Sequence, residues 1–247
     1  MNANPPFNLK LEFSKAADAP FVRSLFDPAV KNSFDPNGYV ARRDDVVLDC
    51  TIGVGGIAML KDDADEIHGM SAAYHLYADQ AASCGDSPDY AEIGTTLSRL
   101  PGYNSARLVV SALVLREWWE RKPHNSFVAE IDPVNGPSIK TFHGALGWPK
   151  LADPVKQQAL QTLCDAALAP EERGKKVDWY YCDEKLIAHQ ASMVLSFMNQ
   201  GGLVNKATGH VIAVDFTALA NGGLTRPRIE LMAKGTVDKA QVLALAP

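Results

Sequence analysis

The sequence lacks a basic balance. Its 247 residues carry 24 Lys and Arg against 29 Asp and Glu, a formal net charge of -5, with no basic run. A nucleic-acid or acidic-membrane partner that works through charge is therefore not expected. No apolar stretch approaches the ~20 residues that cross a bilayer. The opening Met1–Phe13 has no basic segment leading into an apolar core, so it does not read as a signal peptide. Cysteine is scarce: Cys50, Cys84, Cys164 and Cys182 are widely spaced and form no C-x-x-C pair. That pattern argues against a structural zinc site or a disulfide framework and reads as four reduced thiols. The histidines at 68, 75, 124, 189 and 210 show no metal-ligand spacing. Internal repeats and low-complexity tracts are absent. The expectation is a soluble, cytoplasmic globular protein without a metal, nucleic-acid or membrane partner.

What is present is an interleaving of strands and helices, the mark of an α/β chain. Leu9, Leu11 and Phe13 alternate over 8–14, a half-buried strand. Asp18 and Pro20 open a short helix that Pro28 stops, and 31–43 reads as loop. Val46–Leu48 and Ile57–Leu60 are short apolar runs, and the second pairs with 67–78 across a polar turn as a hairpin. After the loop 79–88, 90–100 is a further strand. Residues 101–121 are the clearest element, with Leu108, Ala112, Leu115 and Trp119 at helical spacing and Pro123 as the stop. Trp118 is expected at a rim. A strand follows over 125–133 and a short helix ends at Gly147. Beyond Lys150 the spacing predicts a helix from Asp153 to Leu168, a strand over 177–182 and a helix over 185–199 closed by Gly201 and Gly202. The stretches 210–219 and 226–234 read as two strands joined through Gly222-Gly223, with Arg226 and Arg228 on a sheet edge.

Three stretches in this order resemble the GNAT superfamily of N-acyltransferases over roughly residues 8–150. Ala58–Tyr74, with Ile67-His68-Gly69, is similar to the second and third strands of that fold. Tyr90–Leu113 is similar to the fourth strand, the acyl-CoA loop and the helix behind it. Phe127–Trp148 is similar to the fifth strand, the Asn135-x-x-Ser138 stretch and the closing Leu146-Gly147-Trp148. The loop keeps Arg99 and Gly102 and has Asn104 at the last small position. An alternative register places Asn104 at the inner glycine and Ala106 at the end, and gives up the arginine. Where many members carry a tyrosine that protonates the leaving thiolate, this chain has His143.

The resemblance implies an α/β fold with a GNAT-like mixed, splayed sheet flanked by helices. Residues 1–150 would form the acyl-CoA-binding core. Residues 151–247 would form a C-terminal α/β extension that completes the sheet or builds a small subdomain for substrate or homodimerisation. It implies acyl-CoA, with acetyl-CoA as default, as co-substrate, its pyrophosphate at the N-terminus of a helix, where free N–H groups and the helix dipole favour anions. The implied coenzyme-binding residues are Leu97, Arg99, Gly102, Tyr103, Asn104, Ser105, Ala106, Asn135 and Ser138. The reaction would be attack of an amine of unspecified identity on the thioester. The amine must be neutral, and a lysine-type amine has a pKa of about 10.4, so a base is needed. Glu92 on the splaying strand is the first choice, Glu130 on the next strand the second, and His143 would act as acid. The acceptor would enter beside the early loops, 26–43.

Two other readings stand beside this one. Val46–Gly56 is similar to the first motif of an S-adenosylmethionine-dependent methyltransferase: an apolar strand, Asp49 and a Gly-rich turn, with Asp79 at the ribose distance. That motif needs a helix after Gly56. The altered loop and missing tyrosine also suit a non-catalytic acyl-CoA-binding module.

Overall fold

The computed structural model describes residues 8–25, 35, 37–77, 89–120, 127–235 and 238–244. The expected stops at Pro28 and Pro123, the loop 79–88, Asp79 and the thiol of Cys84 lie outside them. Eight strands form one mixed sheet: β1 (Leu9–Phe13), β2 (Ile57–Lys61), β3 (Ile67–Leu76), β4 (Tyr90–Ser98), β5 (Phe127–Ile131), β6 (Asp178–Cys182), β7 (Gly202–Val204) and β8 (Val211–Asp215). Their spatial order is β6-β5-β4-β3-β2-β1-β8-β7. The pairs β1/β8 and β4/β5 are parallel and the others antiparallel. A mixed sheet flanked by helices is the fold class that was expected.

The central strands are buried on both faces, and every residue of β3 is buried. Period-two alternation sends Ala58 and Leu60 into one core and Ile57 and Met59 into the other. On the first face lie α3 (Ser105–Glu120), α6 (Glu184–Asn199) and α8 (Arg226–Ala233). On the second lie α1 (Ala19–Ser24), α2 (Asp45–Gly53) and α5 (Pro154–Ala167). Helix α3 is buried almost all round because the sheet lies on one side and α6 on the other. Its Ser111 hydroxyl donates to Gln190 Oε1 at 3.0 Å, and the Gln190 amide donates to the Leu146 carbonyl at 3.1 Å, so the buried polar groups between the helices are satisfied. The Asp153 side chain caps α5 by accepting from Val155 and Lys156 N–H, with Pro154 in the first turn, as expected. The shorter helices are α4 (Gly136–Ile139), which runs on as a π-helical turn over Lys140–Ala145, α7 (Thr217–Asn221) and α9 (Lys239–Ala244).

Several expectations are corrected. Val46–Leu48 is no strand: Asp44 accepts from Val46 N–H and caps helix α2, and the strand comes after the glycines, not before them. This inverts the strand–turn–helix order that a methyltransferase motif requires, and the methyltransferase reading falls with it. The pair of strands expected at 210–219 and 226–234 is one strand, β8, paired with the short β7, and then two helices. Pro227 in the first turn and Ile229 and Met232 on one buried face favour helix α8, so Arg226 and Arg228 are helical. Trp118, not Trp119, is the fully buried ring of α3, while Arg228 stacks over Trp119 with 5.1 Å to the ring centroid. Cys50 is disulfide-bonded, which corrects the reading of four reduced thiols, while Cys164 and Cys182 are free. No helix among the described residues is long and apolar enough to cross a membrane.

Residues beyond 150 supply β6 on one edge of the sheet and β7 and β8 on the other. The β7/β8 pair depends on Gly202, whose φ is +147° and where a Cβ would overlap the Ile212 carbonyl oxygen. Gly202→Ala is expected to cost at least ~1–3 kcal/mol in backbone strain, read as a lower urea midpoint with an unchanged slope.

Candidate active site

Strands β4 and β5 pair only at Ala91–Phe127 and Glu92–Val128. Beyond that point β4 stays with β3 as far as Ser98, and β5 stays with β6. The sheet opens into a V whose apex is at Glu92. A bulge marks the opening. Between Met70–Leu97 and Ala72–Gly94, β3 advances two residues and β4 three, and Thr95 in that stretch has a φ of +46°. Among the described residues the edge of β4 that faces the gap has no ladder partner past Glu92, which leaves its backbone groups open to a ligand.

A cavity of about 210 Å³ fills the V. One wall is Ile93–Ser98 of β4; the other includes Glu130, Ile131, Asn135, Ser138 and Phe142. The loop bearing Asp35, Tyr39 and Arg43 closes a third side. Asn135 sits there because its side chain caps α4, accepting from Ser138 N–H at 3.2 Å. Phe142 is turned inward from the π-helical turn, a local widening that often marks functional positions.

At the apex Glu92 is fully buried and held by both terminal nitrogens of Arg43, Nη2 to Oε1 at 2.5 Å and Nη1 to Oε2 at 2.8 Å. The guanidinium lies over the Tyr74 ring with 4.2 Å to the centroid, and the Tyr74 hydroxyl is 2.6 Å from Thr95 Oγ1. Gly94 leaves the room: a Cβ there would come within 3.0 Å of Glu92 Oε1 and 3.2 Å of Arg43 Nη2. Burial works to lower the Arg43 pKa, but the charge of Glu92, joined by Cys164, Tyr74 and Glu130, outweighs it and holds the arginine charged. Glu130 stands on β5 beside them. Burial, then the negative charge of Glu92, raise its carboxyl above the ordinary carboxylate range against the pull of Arg43. Cys164 of α5 donates to Glu130 Oε2 at 2.6 Å, and burial pushes its thiol up, so it is a protonated donor.

The other expected residues divide between cavity and periphery. Leu97, Asn135 and Ser138 line the cavity. Arg99 reaches away to Glu66 at 2.7 Å. Gly102 (φ +85°) and Asn104 (φ +58°) make the tight turn before α3, and the Asn104 carbonyl accepts from Arg107 N–H at 3.0 Å. Tyr103 is buried with its hydroxyl 2.9 Å from His210 Nδ1, and Ser105 Oγ is 2.5 Å from Ser98 Oγ. Ala106 is half-buried in the first turn of α3. This loop lies past the Ser98 end of the V, outside the cavity lining. His143 is exposed; its Nδ1 is 2.9 Å from the Trp148 carbonyl, and it does not line the cavity. Arg43, Asp35 and Cys164 were not singled out in the sequence as site residues. For Arg43 the only signal was a carboxylate on β4 in need of a cation; for Asp35 and Cys164 the sequence held none.

Two groups of three metal-capable side chains occur among the described residues, each with ligand atoms within 4.8 Å: Asp62, Glu66 and His68, and Glu92, Glu130 and Cys164. In the first, Asp62 Oδ1 accepts from Ala64 and Glu66 N–H, Oδ2 is 2.9 Å from His68 Nε2, and Glu66 is paired to Arg99. In the second, Arg43 already provides the positive charge.

No family model matches this chain, and no curated protein matches it. Solved structures with which it shares a likeness include N-acetylglutamate synthase from Neisseria gonorrhoeae complexed with coenzyme A and N-acetyl-glutamate (10% identity, TM-score 0.45, covering 71% of this chain and 35% of that one). This chain thus spans about a third of that synthase. Diaminobutyrate acetyltransferase EctA from Paenibacillus lautus, in complex with L-2,4-diaminobutyric acid and coenzyme A, gives 10% identity and a TM-score of 0.45, over 72% of this chain and 95% of that one. FdhC, described as a nucleotide-linked sugar GNAT, gives 14% and 0.44 over 78% and 96%.

The ion pair at the apex generates a stability prediction. Glu92→Ala leaves a buried guanidinium unpaired and is expected to cost ~3–5 kcal/mol in chemical denaturation. The double replacement Arg43→Met with Glu92→Leu should recover most of that loss, because an apolar pair leaves no charge uncompensated.

Proposed function

We propose that this chain is an acyl-CoA-dependent N-acyltransferase whose acyl group sits at the apex of the V and whose coenzyme leaves through the open end toward the loop Arg99–Ala106. The observation that carries this reading is the parting of β4 from β5 just past Glu92, with a bulge at Thr95 and a carboxyl of raised pKa on the facing strand. A gap between strands with an unpaired backbone edge suits an extended amide-bearing arm such as pantetheine, which can add itself to the edge as a strand would. Asn135 and Ser138 on the far wall are placed to border that arm. The acyl group is acetyl by resemblance.

The roles of the carboxyls differ from the first expectation. Glu92 has both oxygens on Arg43 and acts as a positioning residue. Glu130 is half-buried on the cavity wall, is the group whose pKa is raised, and takes the part of base. The amine attacks the thioester carbonyl carbon. Its surplus proton passes to the Glu130 carboxylate, directly or through one water. A backbone N–H of the gap-facing edge of β4 supports the oxyanion, the role the resemblance gives to Leu97. Collapse of the tetrahedral adduct breaks the carbon–sulfur bond. The proton held on Glu130 then neutralises the thiolate, so the amide and the free coenzyme thiol leave with no net proton change at the enzyme. His143, exposed on the outer surface, is given no part.

Acetyl-CoA at ~100 times its dissociation constant should stabilise the protein by ~2.7 kcal/mol, seen as a raised melting temperature, and Ser138→Glu should abolish the shift. Glu130→Gln should keep the shift and lose ~10²–10⁴-fold in kcat. In the unmodified protein kcat/KM should rise with pH as Glu130 ionises, with the midpoint above the ordinary carboxylate range because its folded pKa is raised. Full binding with unaltered turnover in Glu130→Gln removes the assignment of the base. Full binding with no turnover of any amine by the unmodified protein moves the reading to a non-catalytic coenzyme-binding module.

A further inference from the structure

The walls of the cavity carry more than a place for a thioester. Resting on the acyl-transfer reading, we infer that the acceptor is a small amine that enters as an ammonium ion and bears no carboxylate near the reacting nitrogen.

The charges on the walls support this. Among the described residues, three carboxyl side chains line the cavity, Asp35, Glu92 and Glu130, against one cation, Arg43. Among the described residues, no lysine, histidine or second arginine lines the cavity. Arg43 is not open to a substrate carboxylate. Both terminal nitrogens are committed to Glu92, and Nε is buried without a partner. One face of the guanidinium is covered by Tyr74. A carboxylate entering here would be stripped of water next to like charge, and the one unengaged donor of Arg43, Nε, is buried out of its reach.

Asp35 faces the cavity from the loop side and is itself nine-tenths buried, at 7% exposure. Its oxygens accept from Tyr39 N–H at 3.0 Å and Val40 N–H at 2.7 Å, which pins the carboxylate where a cation would approach. Asp35 draws the ammonium form in. The ion gives its first proton to solvent water and becomes the neutral amine, and Glu130 on the opposite wall receives the second, released when the nitrogen attacks. Size adds a second limit. The cavity, at about 210 Å³, is small for a ligand site, and part of it is taken by the acyl end of the donor.

The test is a set of matched acceptors that differ by one carboxylate: pentane-1,5-diamine against lysine, and propylamine against 2-aminobutyrate. Initial rates are measured with saturating acetyl-CoA, and the melting shift with acetyl-CoA is recorded on the same samples. The carboxylate-free member of each pair should have a kcat/KM at least tenfold higher. Asp35→Asn should narrow that ratio severalfold, mainly through KM of the amine, while the coenzyme shift stays. Where turnover is too slow to measure, the diamine and not lysine should add a further melting shift in the presence of free coenzyme A. A coenzyme shift together with equal or better use of lysine and 2-aminobutyrate overturns the substrate class and leaves acyl transfer standing. Absence of any coenzyme shift overturns acyl transfer, and the substrate class with it.

Discussion

The constraint on which the rest of this structure depends is the separation of two parallel strands after only two residue pairs. Up to Glu92 the backbone of β4 is held by β3 on one side and β5 on the other. Beyond it, β4 continues with β3 for six more residues and β5 turns to β6. A sheet that opens in mid-span exposes peptide groups that would be costly to leave dry. It also brings side chains at the apex into a space walled by protein on three sides. The extra residue of the bulge at Thr95 steepens the divergence on the β4 side, since a bulge bends its strand and increases local twist. Cavity, buried acid and need for a counter-ion are thus consequences of one break in pairing.

The carboxylate at that apex could not remain there alone. Isolated burial of an ionised carboxylate is heavily unfavourable, and Arg43 answers it with two bonds in a bidentate fork. Such pairs contribute little net stability relative to apolar replacements, because both ions lose their water. What the pair supplies is position. Arg43 belongs to the segment that enters α2, so its attachment to β4 ties the loop wall of the cavity to the sheet. Gly94 is the accommodation this demands: any side chain there would press on the carboxylate, the guanidinium and the Tyr74 ring together.

The parts of this arrangement that were legible in the sequence are the local ones. Alternation in 9–13 and 57–61, the Asp153-Pro154 start of α5 and the long apolar α3 depend on periodicity and capping, which a few neighbouring residues specify. The Val46–Leu48 run failed because three apolar residues fit either a strand or a helix. The deciding term was the Asp44 cap, two residues before the run. The same holds for 226–233, where Pro227 and the spacing of Ile229 and Met232 outweigh the β-hairpin suggested by Gly222-Gly223. Glu92 could be picked out because it sits on the splaying strand. Its engagement with Arg43 could not, since 49 residues separate the two and nothing in the sequence pairs them. His143 occupies the place the resemblance assigns to an acid, but that place is on a π-helical turn. The wider turn directs Phe142 inward and the histidine out.

The same break in pairing explains why the residues after Lys150 belong to the cleft. With only two pairs to β4, β5 has too little ladder to hold its position as a wall, whereas β6 pairs with it along all five residues, Phe127 to Ile131. The wall that presents Glu130 is therefore anchored from the C-terminal side of the chain. Helix α5 acts on the other end of the same side chain, since Cys164 donates to the Glu130 carboxyl and lies 3.5 Å from Arg43 Nη1. The role proposed for Glu130, taking up and releasing a proton in a low-dielectric space, calls for a fixed orientation and a neighbour that does not compete for the proton. A buried thiol that stays protonated meets both conditions. The strand that widens the sheet and the helix that covers it thus act on one residue, Glu130, from two directions.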